Sequence, residues 1–208
     1  MINEEIVDLN NRTVALLQEQ DFIEAIENSS MVLRRHREIY QTSSRQASSS
    51  GDDSLDKCML RSGTDENRYY ADNTFIYDHG IVIPTSANGV SSMVAAILIF
   101  NCALSHQLRA QQVSRGRSRH HLSSAKRLYE LAHGVCNEDP NFLFHFVVIN
   151  NIAVIDRRLG QNEISAQRFQ QLLAVLMLLI DQGNTKRVRH VQGFLANVIT
   201  TTDTAPAA

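Results

Sequence analysis

FLFHFVVINNIAVIDRRLGQNEISAQRF, residues 142–169, is the stretch that decides how this chain folds. Ile149, Ile152, Ala153 and Asp156 recur at steps of three and four residues, the spacing of one face of an α-helix. Gly160 then interrupts, as a residue tolerant of positive φ does at a helix end. Ser165 and Phe169 resume the helical spacing. Two helices, roughly 141–159 and 162–182, joined by so short a break must fold back on each other as an antiparallel pair. The second runs into Leu172–Ile180, an apolar run about half the roughly 18 residues a membrane span requires, which reads as a buried helix.

Outward from this pair the helical pattern continues. Towards the C-terminus a segment over roughly 186–201 precedes a small, polar tail, residues 203–208, that is expected to fray. Towards the N-terminus lie segments at roughly 91–112 and 119–135, stopped by Gly134 and by Asp139-Pro140. Residues 4–20 and 22–40 form another tight pair, with Asp21 as a candidate N-cap between them. Residues 1–41 are therefore read as a first helix hairpin and 87–202 as two further hairpins with a capping helix around Gly193-Phe194-Leu195.

Two segments break the pattern. Residues 42–72 include the tract Ser43-Ser44-Arg45-Gln46-Ala47-Ser48-Ser49-Ser50 and few large apolar side chains, so a disordered linker is expected there. Residues 73–86 carry the only strand-like alternation. Phe75-Ile76-Tyr77 and Ile81-Val82-Ile83 flank Asp78-His79-Gly80, which suggests a short β-hairpin or an extended segment. Two arms so short and apolar need a helical surface to lie on. The surface expected to receive residues 73–84 is the one lined by Asn101 and Asn151.

Composition narrows the functional classes. A net charge of −2 gives no basic field for nucleic acid or anionic lipid. Cys58, Cys102 and Cys136 form neither a disulfide framework nor a pair at metal-ligand spacing. The acidic start, Met1-Ile2-Asn3-Glu4-Glu5, has no secretory pattern, so a cytoplasmic or nuclear location is expected.

Three helix pairs share a size code. Thr13, Ala103 and Ala153 in the first helices face Ala25, Ala125 and Ser165 in the second, small residues that allow close approach, while Tyr129 and Phe169 fill the space between pairs. In this order of residues the chain resembles the tetratricopeptide repeat family, and more narrowly a group of tetratricopeptide-like proteins of diatoms. The signature Trp is absent, and Asp156 stands where an aromatic residue is usual. The resemblance implies an all-α fold: three antiparallel helix hairpins stacked as a short α-solenoid, a C-terminal capping helix, and the β-hairpin as an insertion. It implies no activity.

Asn11, Asn101 and Asn151 fall at the same place in the three first helices. By the resemblance this place faces the concave groove, where an amide can both donate to and accept from an extended peptide backbone. His106, one turn on from Cys102, is placed with them as groove-lining. The family's basic clamp for chaperone tails is missing, since Asn10, Val14, Val147 and Asn151 hold the matching positions. His120-His121, beside Arg115, Arg117 and Arg119, read as a solvated loop, and no metal, cofactor or catalytic residue is assigned. The expected function is non-catalytic protein–protein interaction, binding a protein or peptide partner but no nucleic acid and no membrane. One alternative is a structural domain whose groove is filled by its own residues 73–84. A remote one is a cysteine-dependent enzyme built on Cys102 and His106.

Overall fold

The structure is a computed structural model that describes residues 4–43, 74–84, 92–136, 142–181 and 191–202. Among these residues the fold is all-α, with helices α1 (Glu4–Gln18), α2 (Phe22–Ser43), α3 (Ser92–Gln112), α4 (Arg115–Val135), α5 (Phe142–Arg158), α6 (Asn162–Asp181) and α7 (Val191–Thr202). The tail at 203–208 and the expected linker lie outside the described residues, except that α2 runs two positions into the linker, to Ser43.

The helices gather into two compact units. The first holds α1 to α4 with residues 79–84, and the second holds α5 to α7 with residues 74–78. In the first, α1 packs on α2 and α3 on α4, while α2 also lies against α3. In the second, α6 packs against both α5 and α7.

Both N-terminal turns of the two units are the same device. After α1 the chain turns at Gln20, whose φ is 62°, and after α5 it turns at Gly160, whose φ is 84°. Asp21 N–H donates to Leu16 O at 3.0 Å and Gln20 N–H to Leu17 O at 3.3 Å. Gln161 N–H donates to Asp156 O at 2.8 Å and Gly160 N–H to Arg157 O at 3.0 Å. Each is a Schellman closure that satisfies carbonyls left over at the helix end. Asp21 then caps α2, its carboxylate accepting from Glu24 N–H at 3.1 Å.

Small residues bring the paired helices together. Thr13 and Ala25 are both buried, as are Ala103 and Ala125. Between α5 and α6 the approach is close enough for Ser165 Oγ to donate to Ala153 O at 2.8 Å. Beside it the fully buried Asp156 accepts from Arg168 Nε at 2.9 Å. In the first unit Tyr129 lies tilted against Phe100, ring centres 5.4 Å apart, and donates from its hydroxyl to Gln107 at 2.8 Å.

The central helix of the first unit, α3, is long and apolar enough by composition to span a membrane, yet 83% of its most apolar window is buried inside the protein. It belongs to the core. Two expectations need correcting. α4 starts at Arg115, not near 119, so Arg115, Arg117, Arg119 and His120-His121 stand on a helix and not in a loop. Its first turns carry almost no apolar residue, which leaves the helical spacing without a signal there. Residues 74–84 are extended, but no strand is assigned among the described residues and Phe75 is a lone bridge residue, so the β-hairpin insertion is not formed as two paired arms.

Candidate functional site: asparagine clamps on an extended segment

Strand-like residues need partners for their backbone groups, and at Phe75, Tyr77, Ile81 and Ile83 side-chain amides supply them. In the second unit, Asn197 of α7 accepts from Phe75 N–H at 2.8 Å and donates to Phe75 O at 2.8 Å. Asn151 of α5 does the same to Tyr77, accepting at 3.1 Å and donating at 2.9 Å. In the first unit, Asn101 of α3 accepts from Ile81 N–H at 2.8 Å and donates to Ile81 O at 2.8 Å. Asn11 of α1 grips Ile83, at 3.1 Å in both directions. A primary amide has one acceptor edge and one donor edge, so it can replace one residue of a neighbouring strand.

Each unit sets its two clamps with a third asparagine. Asn150 Nδ2 donates to Asn151 Oδ1 at 3.2 Å, and Asn197 Nδ2 donates to Asn150 Oδ1 at 2.8 Å. In the first unit Asn10 Nδ2 donates to Asn11 Oδ1 at 3.3 Å, and Asn101 Nδ2 donates to Asn10 Oδ1 at 2.8 Å. Asn10 also donates to Ile81 O at 3.1 Å. The two networks are the same construction, made from an Asn-Asn pair on one helix and a single Asn on another. Flipping any clamping amide would set donor against N–H and acceptor against C=O, so the contacts themselves define its orientation.

The held residues alternate, 75 with 77 and 81 with 83, which is the period of an extended chain. Their side chains are core. Phe75, Ile76, Tyr77, Ile81 and Ile83 are all buried, and Val82 is half-buried. The Phe75 ring meets Phe194 edge-on, centres 5.0 Å apart, and Phe194 in turn meets Phe146 at 4.5 Å. Gly80 fits because it has no side chain: a Cβ there would lie 3.0 Å from Val14 and 3.2 Å from Leu17.

The sequence points to Asn11, Asn101 and Asn151, and all three hold the segment. It places Asn10 in the groove only as a position lacking the basic clamp, and it does not point to Asn197 or Asn150. The signal for Asn10 and Asn150 is the doubled Asn, one residue before each expected clamp. Asn197 stands in a short apolar helix with no repeat partner to mark its register.

His106 does not join the clamps. Its Nδ1 lies 3.0 Å from Nδ1 of His121 on α4, a spacing at which one nitrogen carries the proton and the other accepts. Burial pushes His106 down to about 4, and the neighbouring His121 and His120 add to that shift. His121 is lowered by burial, then by His120 and Arg109. Cys102 is buried, and burial pushes its thiol up despite the hydroxyls of Ser29 and Ser30. Among the described residues no group of three or more His, Cys, Asp or Glu is gathered where it could hold a metal ion.

Comparison of the chain with protein-family models, with curated proteins and with solved structures finds no match.

Proposed function

We propose that this protein is a non-catalytic protein–protein interaction module of the tetratricopeptide-like kind, which takes an extended peptide by its backbone through the asparagine clamps that each unit carries. The observation that carries this reading is the set of four asparagine amides, each bonded to both the N–H and the C=O of one residue of an extended segment. Recognition through main-chain groups is indifferent to the identity of the residue gripped, and suits a segment supplied by another chain as well as this one. Residues 74–84 are the occupant in this state, and a partner segment enters by competing with them.

Other features support it. The buried Cys102 with its raised thiol is the opposite of an activated nucleophile, and His106 is engaged with His121. A net charge of −2, with no basic field for nucleic acid or anionic lipid, suits a protein or peptide partner. The second reading is a structural domain whose groove stays filled by its own chain, favoured by the burial of Phe75, Ile81 and Ile83.

Selection of short random peptides against the full chain carrying Ile83→Ala, which loosens the resident segment, separates the two. Binders that are lost when Asn101 and Asn151 are also changed to Ala support the interaction module. No binders, or binders indifferent to the asparagines, support the structural reading.

A further inference from the structure

The backbone clamps of the two units are alike, but the space beside them is not. In the second unit, one turn before the clamping Asn197, α7 carries Gly193. A Cβ built there would lie 2.5 Å from the ring of Phe75, so the ring occupies the volume a side chain would take. In the first unit, the residue one turn before the clamping Asn101 is Ile97, buried to 1% exposure. The residue clamped there is the aliphatic Ile81. A missing side chain on the helix goes with an aromatic ring on the segment, and a present one goes with an aliphatic side chain.

We propose that the second unit selects its occupant by side chain: an aromatic residue at the Phe75 position, a large aliphatic one next and a large apolar one at the Tyr77 position. A partner protein presenting such an aromatic–aliphatic–apolar triplet in extended form takes the place of Phe75-Ile76-Tyr77. This rests on the interaction-module reading and adds a specificity to it. Gly193 opens the pocket, Phe194 lines it edge-on, and Asn151 and Asn197 fix the register so that the ring enters only at one position. An empty clamp would leave buried amides of Asn151 and Asn197 without their main-chain partners, so the unit favours having some occupant at all times.

The resident segment belongs to the same chain and competes intramolecularly, where effective concentrations are on the order of millimolar. A partner therefore needs either high local abundance or a weakened resident. The test uses both conditions. The full chain with Phe75→Ala is titrated with a fluorescent peptide of sequence Thr-Phe-Ile-Tyr-Asp, with its Phe-to-Ala version, and with its Phe-to-Ile version, by anisotropy. The expected result is binding of the Phe peptide at least ~10-fold tighter than the Ala peptide, and at least ~10-fold weaker binding of the Phe peptide to the parent chain, whose own Phe75 competes. Adding Gly193→Ile to the Phe75→Ala chain should invert the order, so that the Ile peptide binds more tightly than the Phe peptide. Equal binding of the three peptides overturns the selection by side chain while leaving the backbone groove standing. Failure of all three on a chain still selecting random peptides has the same meaning. Failure of both removes the interaction module as well. Should Phe75→Ala not fold, Phe75→Leu serves in its place. As a second readout within one chain, Phe75→Ile must then raise the urea midpoint of Gly193→Ile, and no gain in that pair overturns the proposal.

Discussion

Replacing Asn101 with Ala removes three hydrogen bonds at one point: Ile81 N–H to Oδ1, Nδ2 to Ile81 O, and Nδ2 to Asn10 Oδ1, each 2.8 Å long. Ile81 O keeps a second donor, Asn10 Nδ2 at 3.1 Å. The groups deprived by the change are therefore Ile81 N–H and Asn10 Oδ1, in a region where Asn101 and Asn10 are each 1% exposed and Ile81 is fully buried. Water has no easy access, so each deprived group costs about 1–3 kcal/mol, and the total for Asn101→Ala is about 2–6 kcal/mol. Asn11→Ala removes the equivalent clamp from Ile83, which is as fully buried as Ile81, but the half-buried Asn11 amide leaves a place open to solvent, where water can serve the two Ile83 groups. Its cost should stay below about 1.5 kcal/mol. Urea denaturation followed by circular dichroism measures both, and hydrogen exchange at the Ile81 amide reports whether the segment is released locally. A loss for Asn101→Ala within about 0.5 kcal/mol of the parent, or an Asn11→Ala cost as large as that of Asn101→Ala, would refute the clamp as a buried, water-free bond set.

Acid should loosen the α3–α4 pair through His106, whose folded value of about 4 lies below the 6.5 of an ordinary His. A lowered folded value means that stability is intact above the unfolded value and falls as pH drops from 6.5 towards 4; the full shift would be about 3 kcal/mol, and solvent screening at this half-buried site reduces it to about 1.5. His106→Gln should flatten that part of the stability–pH curve, and an unchanged slope between pH 7 and 4 would count against the buried His106 as its cause. At the turns, Gln20→Gly should stabilise by about 1 kcal/mol and Gly160→Ala should destabilise by about the same, since both positions have positive φ; urea midpoints moving the same way would contradict this. Arg168→Ala takes the guanidinium from the buried carboxylate of Asp156 and should cost about 3–5 kcal/mol, whereas the double change Asp156→Leu, Arg168→Met should recover most of it, because Leu16 already fills the matching position of α1; a double variant no better than the single would refute that.

Much of the fold can be read from spacing. Ile149, Ile152, Ala153 and Gly160 locate one helix and its end, and the turn at Gly160 forms where a helix stop is expected. Asn11, Asn101 and Asn151 stand out because a polar residue in register on three apolar helix faces is unusual. Asn197 has no such register, since among the described residues α7 is not one of the three first helices that share it. The alternation of residues 75–83 marks an extended chain but does not say what pairs with it. Side-chain amides satisfy the same groups a neighbouring strand would, and both leave the same period in the sequence. His106 misleads for a related reason. Its spacing from Cys102 is a fact of one helix, while the group that claims its ring, His121, comes from another. Sequence patterns report which face a residue occupies far better than which neighbour it meets there.

The distance along the chain between Phe75 and its clamp has a consequence for how the protein is made. Asn197 follows Phe75 by 122 residues. At ordinary rates of synthesis, about 5–20 residues per second, roughly 6–25 s pass between the appearance of Phe75 and that of the helix that holds it. Through that interval Phe75-Ile76-Tyr77 has neither Gly193 to admit its ring nor Asn197 to bond its backbone, and Asn151 itself arrives only partway through. The nascent chain thus presents an uncovered aromatic triplet until α7 is complete, and any premature stop before α7 would make that exposure permanent. Truncated products should accordingly be insoluble or bound by chaperones, while a chain that includes α7 can close over the triplet.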